Sequence, residues 1–133
     1  MDILIDTNIT ISAALFPNPR INNFLSLISG EHSLFLCSYS LEEIERVVLR
    51  KFPAKMRDVE LFLRNLRYTL VHTPSIEIID GISMRDANDY PILASAIIAD
   101  VDVLVSGDKD FSCLDIERPE IITISGFMEK YGD

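Results

Sequence analysis

The chain alternates short apolar runs with longer amphipathic ones. Residues 2–6 read Asp-Ile-Leu-Ile-Asp, an apolar run too short for a helix, which predicts a buried strand ending in a carboxylate. Thr7-Asn8 supplies turn and cap chemistry, and residues 9–16 then read as a short apolar helix closed by Pro17-Asn18-Pro19. A second helix is predicted over residues 21–28, with Phe24, Leu25 and Ile28 inward and Ser29-Gly30 as its stop. Residues 33–37 form the next strand pattern. Ser38-Tyr39-Ser40 reads as the cap of a helix over residues 41–50, whose inner face is Leu41, Ile44 and Val48. Phe52-Pro53 breaks the pattern, and residues 56–66 give a fourth helix carrying Arg57, Arg64 and Arg67 at or near its ends. A strand over 69–72 and a turn at Thr73-Pro74-Ser75 lead into an acid-rich stretch. Pro91 suits a first helical turn and Asp89 the cap before it, so an alanine-rich helix runs on to Ala99-Asp100. Val103-Leu104-Val105 is a buried-type strand bounded by Gly107. Residues 121–124 are the last strand, and Ser125 caps a final helix reaching Tyr131.

Strands alternating with helices imply an α/β fold with a mainly parallel central sheet of four to five strands, flanked by helices. At 133 residues, with no repeat or linker, residues 1–133 form one domain. Nearly half the residues are apolar, yet none of the runs reaches membrane-spanning length, and Met1 leads into a strand rather than a basic export signal. A soluble, unexported, cytoplasmic protein with no membrane association is expected.

Charge and cysteine usage narrow the chemistry. Cys37 and Cys113 are far apart and outside any C-x-x-C pair, and His32 and His72 are isolated, so a metal here would take oxygen ligands. A net charge of −9 has the wrong sign for a surface that binds nucleic acid throughout. It is compatible with a local basic patch or with phosphate bound through cations.

The acids that remain are positioned rather than scattered. Asp86, Asp89, Asp100, Asp108 and Asp110 crowd around the alanine-rich helix and the strand after it. Asp6 follows the first strand and Asp108 the fourth, and parallel strands bring both to the carboxyl edge of the sheet, where α/β proteins bind ligands. Glu43 lies early in the third helix, off its apolar face; helical spacing does not separate it from Glu42. Carboxylates gathered in a partly desolvated cleft repel one another, so they take up protons or bind hard divalent cations, Mg²⁺ or Mn²⁺. Such carboxylate-held ions serve phosphodiester hydrolysis.

These residues resemble the PIN-domain ribonucleases, and in particular the VapC-like toxins of bacterial and archaeal toxin–antitoxin pairs. The matching residues are Leu4-Ile5-Asp6-Thr7-Asn8; Ser38, Leu41, Glu43, Ile44, Val47 and Val48; Arg85-Asp86, Asp89, Pro91-Ile92-Leu93-Ala94 and Ala96; and Val105-Ser106-Gly107-Asp108-Lys109-Asp110-Phe111. Each motif is weak singly; their order and spacing are specific. The resemblance implies a Mg²⁺- or Mn²⁺-dependent endoribonuclease with Asp6, Glu43, Asp89 and Asp108 as catalytic metal ligands. Asn8 and Ser106 would orient Asp6 or a water, and Asp86 and Asp110 stand beside the expected ligands as supporting acids. An RNA substrate, a small antitoxin protein and a homodimer are likewise implied by the resemblance.

Each residue also has a plainer reading. Asp89 alone is a helix cap, Asp6 and Asp108 are solvated strand ends, Asn8 and Ser106 are turn residues, and Glu43 pairs with Arg46 across one helical turn. The functional reading rests on their conjunction. Two rivals share it: a metal-dependent phosphatase or phospho-acceptor domain with Asp6 as nucleophile, although Asn8 stands where such phosphatases place a second acid, and a PIN-fold binding module that cleaves nothing. For holding RNA, the third helix sets Arg46 and Arg50 on the face of Glu43, with Lys51 extending it. On a solvated face these cations would simply pair with Glu42 or Glu43.

Overall fold

A computed structural model describes residues 1–74, 90–107, 111 and 116–132. Its strands are β1 (Asp2–Ile5), β2 (Ser33–Cys37), β3 (Thr69–Val71), β4 (Val103–Val105) and β5 (Glu120–Ile122). Its helices are α1 (Thr7–Leu15), α2 (Pro19–Glu31), α3 (Ser38–Lys51), α4 (Met56–Asn65), α5 (Tyr90–Ile98) and α6 (Ile124–Tyr131). The strands stand in the order β3-β2-β1-β4-β5, every neighbouring pair parallel. This is the α/β architecture expected from the alternating pattern. Among the described residues, no helix is long and apolar enough to cross a membrane.

The period of two along the central strands sorts the core into two layers. Ile3, Ile5, Val103 and Val105 face α1, α2 and α6, packing with Ile9, Phe24, Ile28 and Phe127. Leu4 and Leu104 face the other way, against Ile92, Leu93 and Ala96 of α5 and against Phe111. A third cluster, Ile11, Ile44, Val48 and Val59, ties α1 to α3 and α4. Phe24 is fully buried and meets Phe127 edge to face at 5.5 Å; truncating such a ring to alanine costs about 3–5 kcal/mol. α1 therefore lies between the sheet and the α3–α4 pair, which is why it is apolar on nearly every side.

Several helix starts differ from the expectation. α3 begins at Ser38, directly off β2, with Cys37 at its cap position and no capping bond from that side chain. The Tyr39 N–H donates instead to Thr73 Oγ1 at 3.0 Å, while the Thr73 N–H donates to Ser38 Oγ at 2.9 Å. A residue more than thirty positions away thus satisfies the free helix donor that Ser38 and Ser40 were expected to satisfy locally. α6 is capped by Thr123, which accepts from the Gly126 N–H at 3.0 Å, and Ser125 lies inside the helix. α2 runs through Gly30 to Glu31 and is capped by Asn18, with Pro19 in its first turn.

Candidate active site

The strand order reverses between β1 and β4, because the chain moves outward from β1 through β2 to β3 and then returns to β4. Their carboxyl ends frame the crevice where open α/β sheets bind ligands. Asp6 leaves β1 at that edge and Ser106 leaves β4 beside it. The Asp6 N–H extends the ladder to the Val105 carbonyl at 3.3 Å, and the Ser106 N–H is tied to the Ile122 carbonyl at 3.0 Å.

Asp6 is only 4% exposed. Its Oδ1 accepts from the Ile9 N–H at 2.9 Å, which caps α1, and its Oδ2 accepts from the Ser106 hydroxyl at 2.5 Å. A carboxylate taken this far from water is costly unless hydrogen-bonded or matched by positive charge, and both oxygens are hydrogen-bonded. Sequence reading placed Asp6 as a strand end; the structure makes it both strand end and helix cap. Ser106 donates to it from the end of β4.

The first turn of α3 is drawn to the same edge. Thr7 Oγ1 lies 3.0 Å from Ser40 Oγ, both buried, and the Cys37 thiol meets Ser40 at 3.4 Å. Glu43 stands one turn beyond Ser40, so the two share a face of the helix. Its side chain is 21% exposed, whereas Glu42 points to solvent. Burial separates two residues that helical spacing left equivalent. Arg46 Nη2 reaches Glu43 Oε2 at 4.0 Å, and its guanidinium carbon also lies 6.0 Å from the Tyr39 ring centre. Arg50 and Lys51 are exposed in the last turn of α3, where cations also complement the helix dipole.

Asp6 opens onto a cavity of about 510 Å³, lined also by Asn8, Ser12, Arg20, Gly107, Thr123 and Ser125 among others. Its far wall is the start of α6, which is pinned by its other end. Glu120, at the start of β5, accepts from Lys130 Nζ at 2.6 Å and from the Tyr131 hydroxyl at 2.5 Å. Lys130 chiefly, then Tyr131, hold the Glu120 carboxyl below its ordinary range.

A family model for the PIN domain matches residues 2–110. The chain belongs to the PIN-domain family. The fold of this PIN domain is similar to that of VapBC2 from Rickettsia felis, solved bound to a DNA fragment from its promoter, with a TM-score of 0.68 and 18% identity over 92% of this chain and 97% of that one. It is also similar to VapC20 of Mycobacterium tuberculosis, a sarcin–ricin loop cleaving toxin, with a TM-score of 0.58 and 13% identity over 84% and 93% of the two chains. At these identities the likeness is one of fold. A search of curated proteins finds no significant sequence relative.

Of the expected acids in this PIN domain, Asp6 and Glu43 are described, while Asp86, Asp89, Asp108 and Asp110 lie outside the described residues. Asp108 comes two residues after Ser106, and Asp89 one residue before Tyr90 opens α5. Among the described residues, no three Asp, Glu, His or Cys side chains converge to hold a metal.

One of the crowded acids belongs elsewhere. Asp100 accepts from Arg118 Nε at 2.7 Å, and Arg118 also reaches Asp102 Oδ1 at 3.0 Å. Asp102 in turn accepts from the Asp2 N–H at 2.7 Å. Chiefly that N–H, with Arg118, holds the Asp102 carboxyl below its ordinary range against the opposing effect of burial. These groups lie at the amino edge of the sheet, roughly 13 Å of strand away from Ser106. Asp100 closes a helix and braces a loop at this edge, away from Asp6 and Ser106. Arg20, which lines the cavity beside Asp6, was not singled out from the sequence. The available signal for Arg20 was a cation in the first turn of a helix, where the dipole disfavours it.

Proposed function

We propose that this PIN domain is a Mg²⁺- or Mn²⁺-dependent endoribonuclease that hydrolyses RNA phosphodiester bonds and serves as the toxin of a toxin–antitoxin pair. The observation that carries this reading is the buried Asp6 carboxylate at the switch point, held by Ser106 on the strand that leads to Asp108. Membership of the family and the shared fold with the two toxins support it.

The donor chemistry fits a hard cation. Asp6 and Glu43 offer oxygen only, and the buried Cys37 thiol is turned toward Ser40, which disfavours a thiolate site. Asp6, Glu43, Asp89 and Asp108 would hold the ion. Bound there, a divalent ion supplies Lewis-acid activation of water and charge neutralisation at the phosphate.

The chain's own groups do the positioning. The Ser106 hydroxyl and the Ile9 N–H fix the plane of the Asp6 carboxylate at the wall of the cavity. Asn8 lines the same wall and would direct a water or a substrate oxygen. Arg46, Arg50 and Lys51 would carry the RNA backbone along the Glu43 side of α3. A small antitoxin protein and a second copy of the chain would be its partners in the cytoplasm.

Incubating the purified protein with labelled single-stranded RNA and Mn²⁺, with chelator in a parallel reaction, tests the proposal. Internal cuts with 5′-phosphate and 3′-hydroxyl ends are expected with Mn²⁺ only. Ends bearing 2′,3′-cyclic phosphate would refute hydrolysis by water, and turnover of a phosphatase substrate in place of RNA would favour the phospho-acceptor reading.

A further inference from the structure

The cavity beside Asp6 contains a cation that a metal-holding set of carboxylates does not require. Arg20 lines it together with Asp6 and Asn8. It occupies the second position of α2, directly after Pro19, and that turn contains no acidic residue. The helix dipole there is positive, so an arginine weakens the helix slightly rather than stabilising it. Its side chain is exposed and adds nothing to the core. Among the described residues, no carboxylate lies within ion-pair reach of its guanidinium.

What Arg20 does have is an orienting contact. Its Nη1 donates to Ser125 Oγ at 3.1 Å, from α6 across the cavity. Ser125 in turn is placed by the Thr123 cap and by the Glu120–Lys130 and Glu120–Tyr131 bonds that fasten α6 to β5. A guanidinium tethered through one nitrogen keeps its other N–H groups for a ligand, and its planar fork matches two oxygens of a phosphate. In a chain of net charge −9, an oriented cation lining the cavity beside Asp6 is placed to receive an anion.

We infer that Arg20, steered by Ser125, binds a backbone phosphate next to the scissile bond and sets the register of RNA over Asp6. This rests on the ribonuclease reading and names one substrate contact within it. Arg20 is a substrate-positioning residue in this scheme, and its contact is made equally in the bound and the reacting state.

The test compares wild type with Arg20→Ala, Arg20→Lys and Ser125→Ala, using a labelled single-stranded RNA oligonucleotide. Cleavage is followed with Mn²⁺, and binding is followed in chelator at several salt concentrations. Arg20→Ala should raise KM about tenfold with kcat within about twofold, as loss of uniform binding does. It should also flatten the slope of log affinity against log salt by about 0.7, the value of one phosphate contact on a single strand. Arg20→Lys should restore the salt slope but only part of the affinity, and Ser125→Ala should keep the slope while raising KM by about twofold to threefold. The melting temperature should not move in any variant, because both side chains are exposed. If wild type cleaves RNA and Arg20→Ala changes neither KM nor the slope, the Arg20 contact is wrong and the ribonuclease reading stands. A raised KM with an unchanged slope also overturns the phosphate contact. If wild type neither binds nor cuts RNA, both readings fall together.

Discussion

Replacing Asp6 by asparagine and by alanine separates its two duties, because only one substitution preserves the fold's use of the side chain. Alanine removes the α1 cap, at about 1 kcal/mol. It also removes the buried hydrogen bond from the Ser106 hydroxyl to a charged carboxylate, at about 1–3 kcal/mol. Together these give a loss of about 2–4 kcal/mol. Unfolding entropy scales with chain length, so for a domain of this size 1 kcal/mol shifts the melting temperature by about 3.6 °C. Asp6→Ala should therefore melt about 7–14 °C lower. Asparagine keeps an oxygen for the Ile9 N–H, caps as well as aspartate does, and offers an amide to which the Ser106 hydroxyl can rotate as acceptor. Its removal of a buried charge offsets any loss of geometry, so Asp6→Asn should melt within about 4 °C of wild type. Divalent ions reverse the comparison. At a concentration one hundred times the dissociation constant, an ion bound only by the folded state stabilises it by about 2.7 kcal/mol. That corresponds to about 10 °C in wild type, and neither variant should show it. Circular dichroism melts in Mg²⁺, in Mn²⁺ and in chelator provide the measurement. A full ion-induced shift in Asp6→Asn would place the metal away from Asp6, and an asparagine variant as unstable as the alanine one would refute the capping argument.

Four further outcomes are expected. Asp89→Asn should lower RNA cleavage about a hundredfold or more, comparable to loss of one strong transition-state contact, in single-turnover assays on folded protein; a lower melting temperature with the rate intact would reduce Asp89 to a cap. Glu43→Gln should remove most cleavage and most of the ion-induced shift while Glu42→Gln leaves both within about twofold, and equal losses would contradict the burial argument. Arg46→Ala combined with Arg50→Ala should weaken RNA binding and flatten its salt dependence with the ion-induced shift intact; an unchanged slope would move the RNA track toward Arg57, Arg64 and Arg67. Glu120 has its folded pKa depressed by Lys130 and Tyr131, so its stabilising contribution is present above the ordinary value of 4.5 and is lost as pH falls through the depressed one. The difference in melting temperature between wild type and Glu120→Gln should accordingly be constant near neutral pH and shrink below about pH 4.5, and a difference that grows on acidification would reverse the assignment.

The alternation of short apolar and longer amphipathic runs determined the α/β class and the parallel sheet. It also determined the two-faced burial of Ile3, Ile5, Val103 and Val105 against Leu4 and Leu104, because these properties depend on neighbours within a few residues and on the period of the backbone. Asp6 at a strand end was legible for the same reason, and so was the strand that delivers Ser106. Tertiary structure alone decided which polar groups meet. The hydroxyl that holds Asp6 lies 100 residues away, and the donor at the start of α3 is satisfied by Thr73 rather than by a serine of its own turn. Asp100 is carried to the edge of the sheet opposite Asp6 and Ser106, because the strand that follows it spans the sheet before the chain reaches Ser106. Arg20 is remote in sequence from α6 but faces Ser125 across the cavity. Helix spacing left Glu42 and Glu43 equal, and only the packing of α3 against α1 turned one toward the protein and the other to water. Periodicity is a local property of the chain, whereas the partner of a hydrogen bond or the burial of a charge depends on strand order, and strand order follows from how all the apolar faces are covered at once.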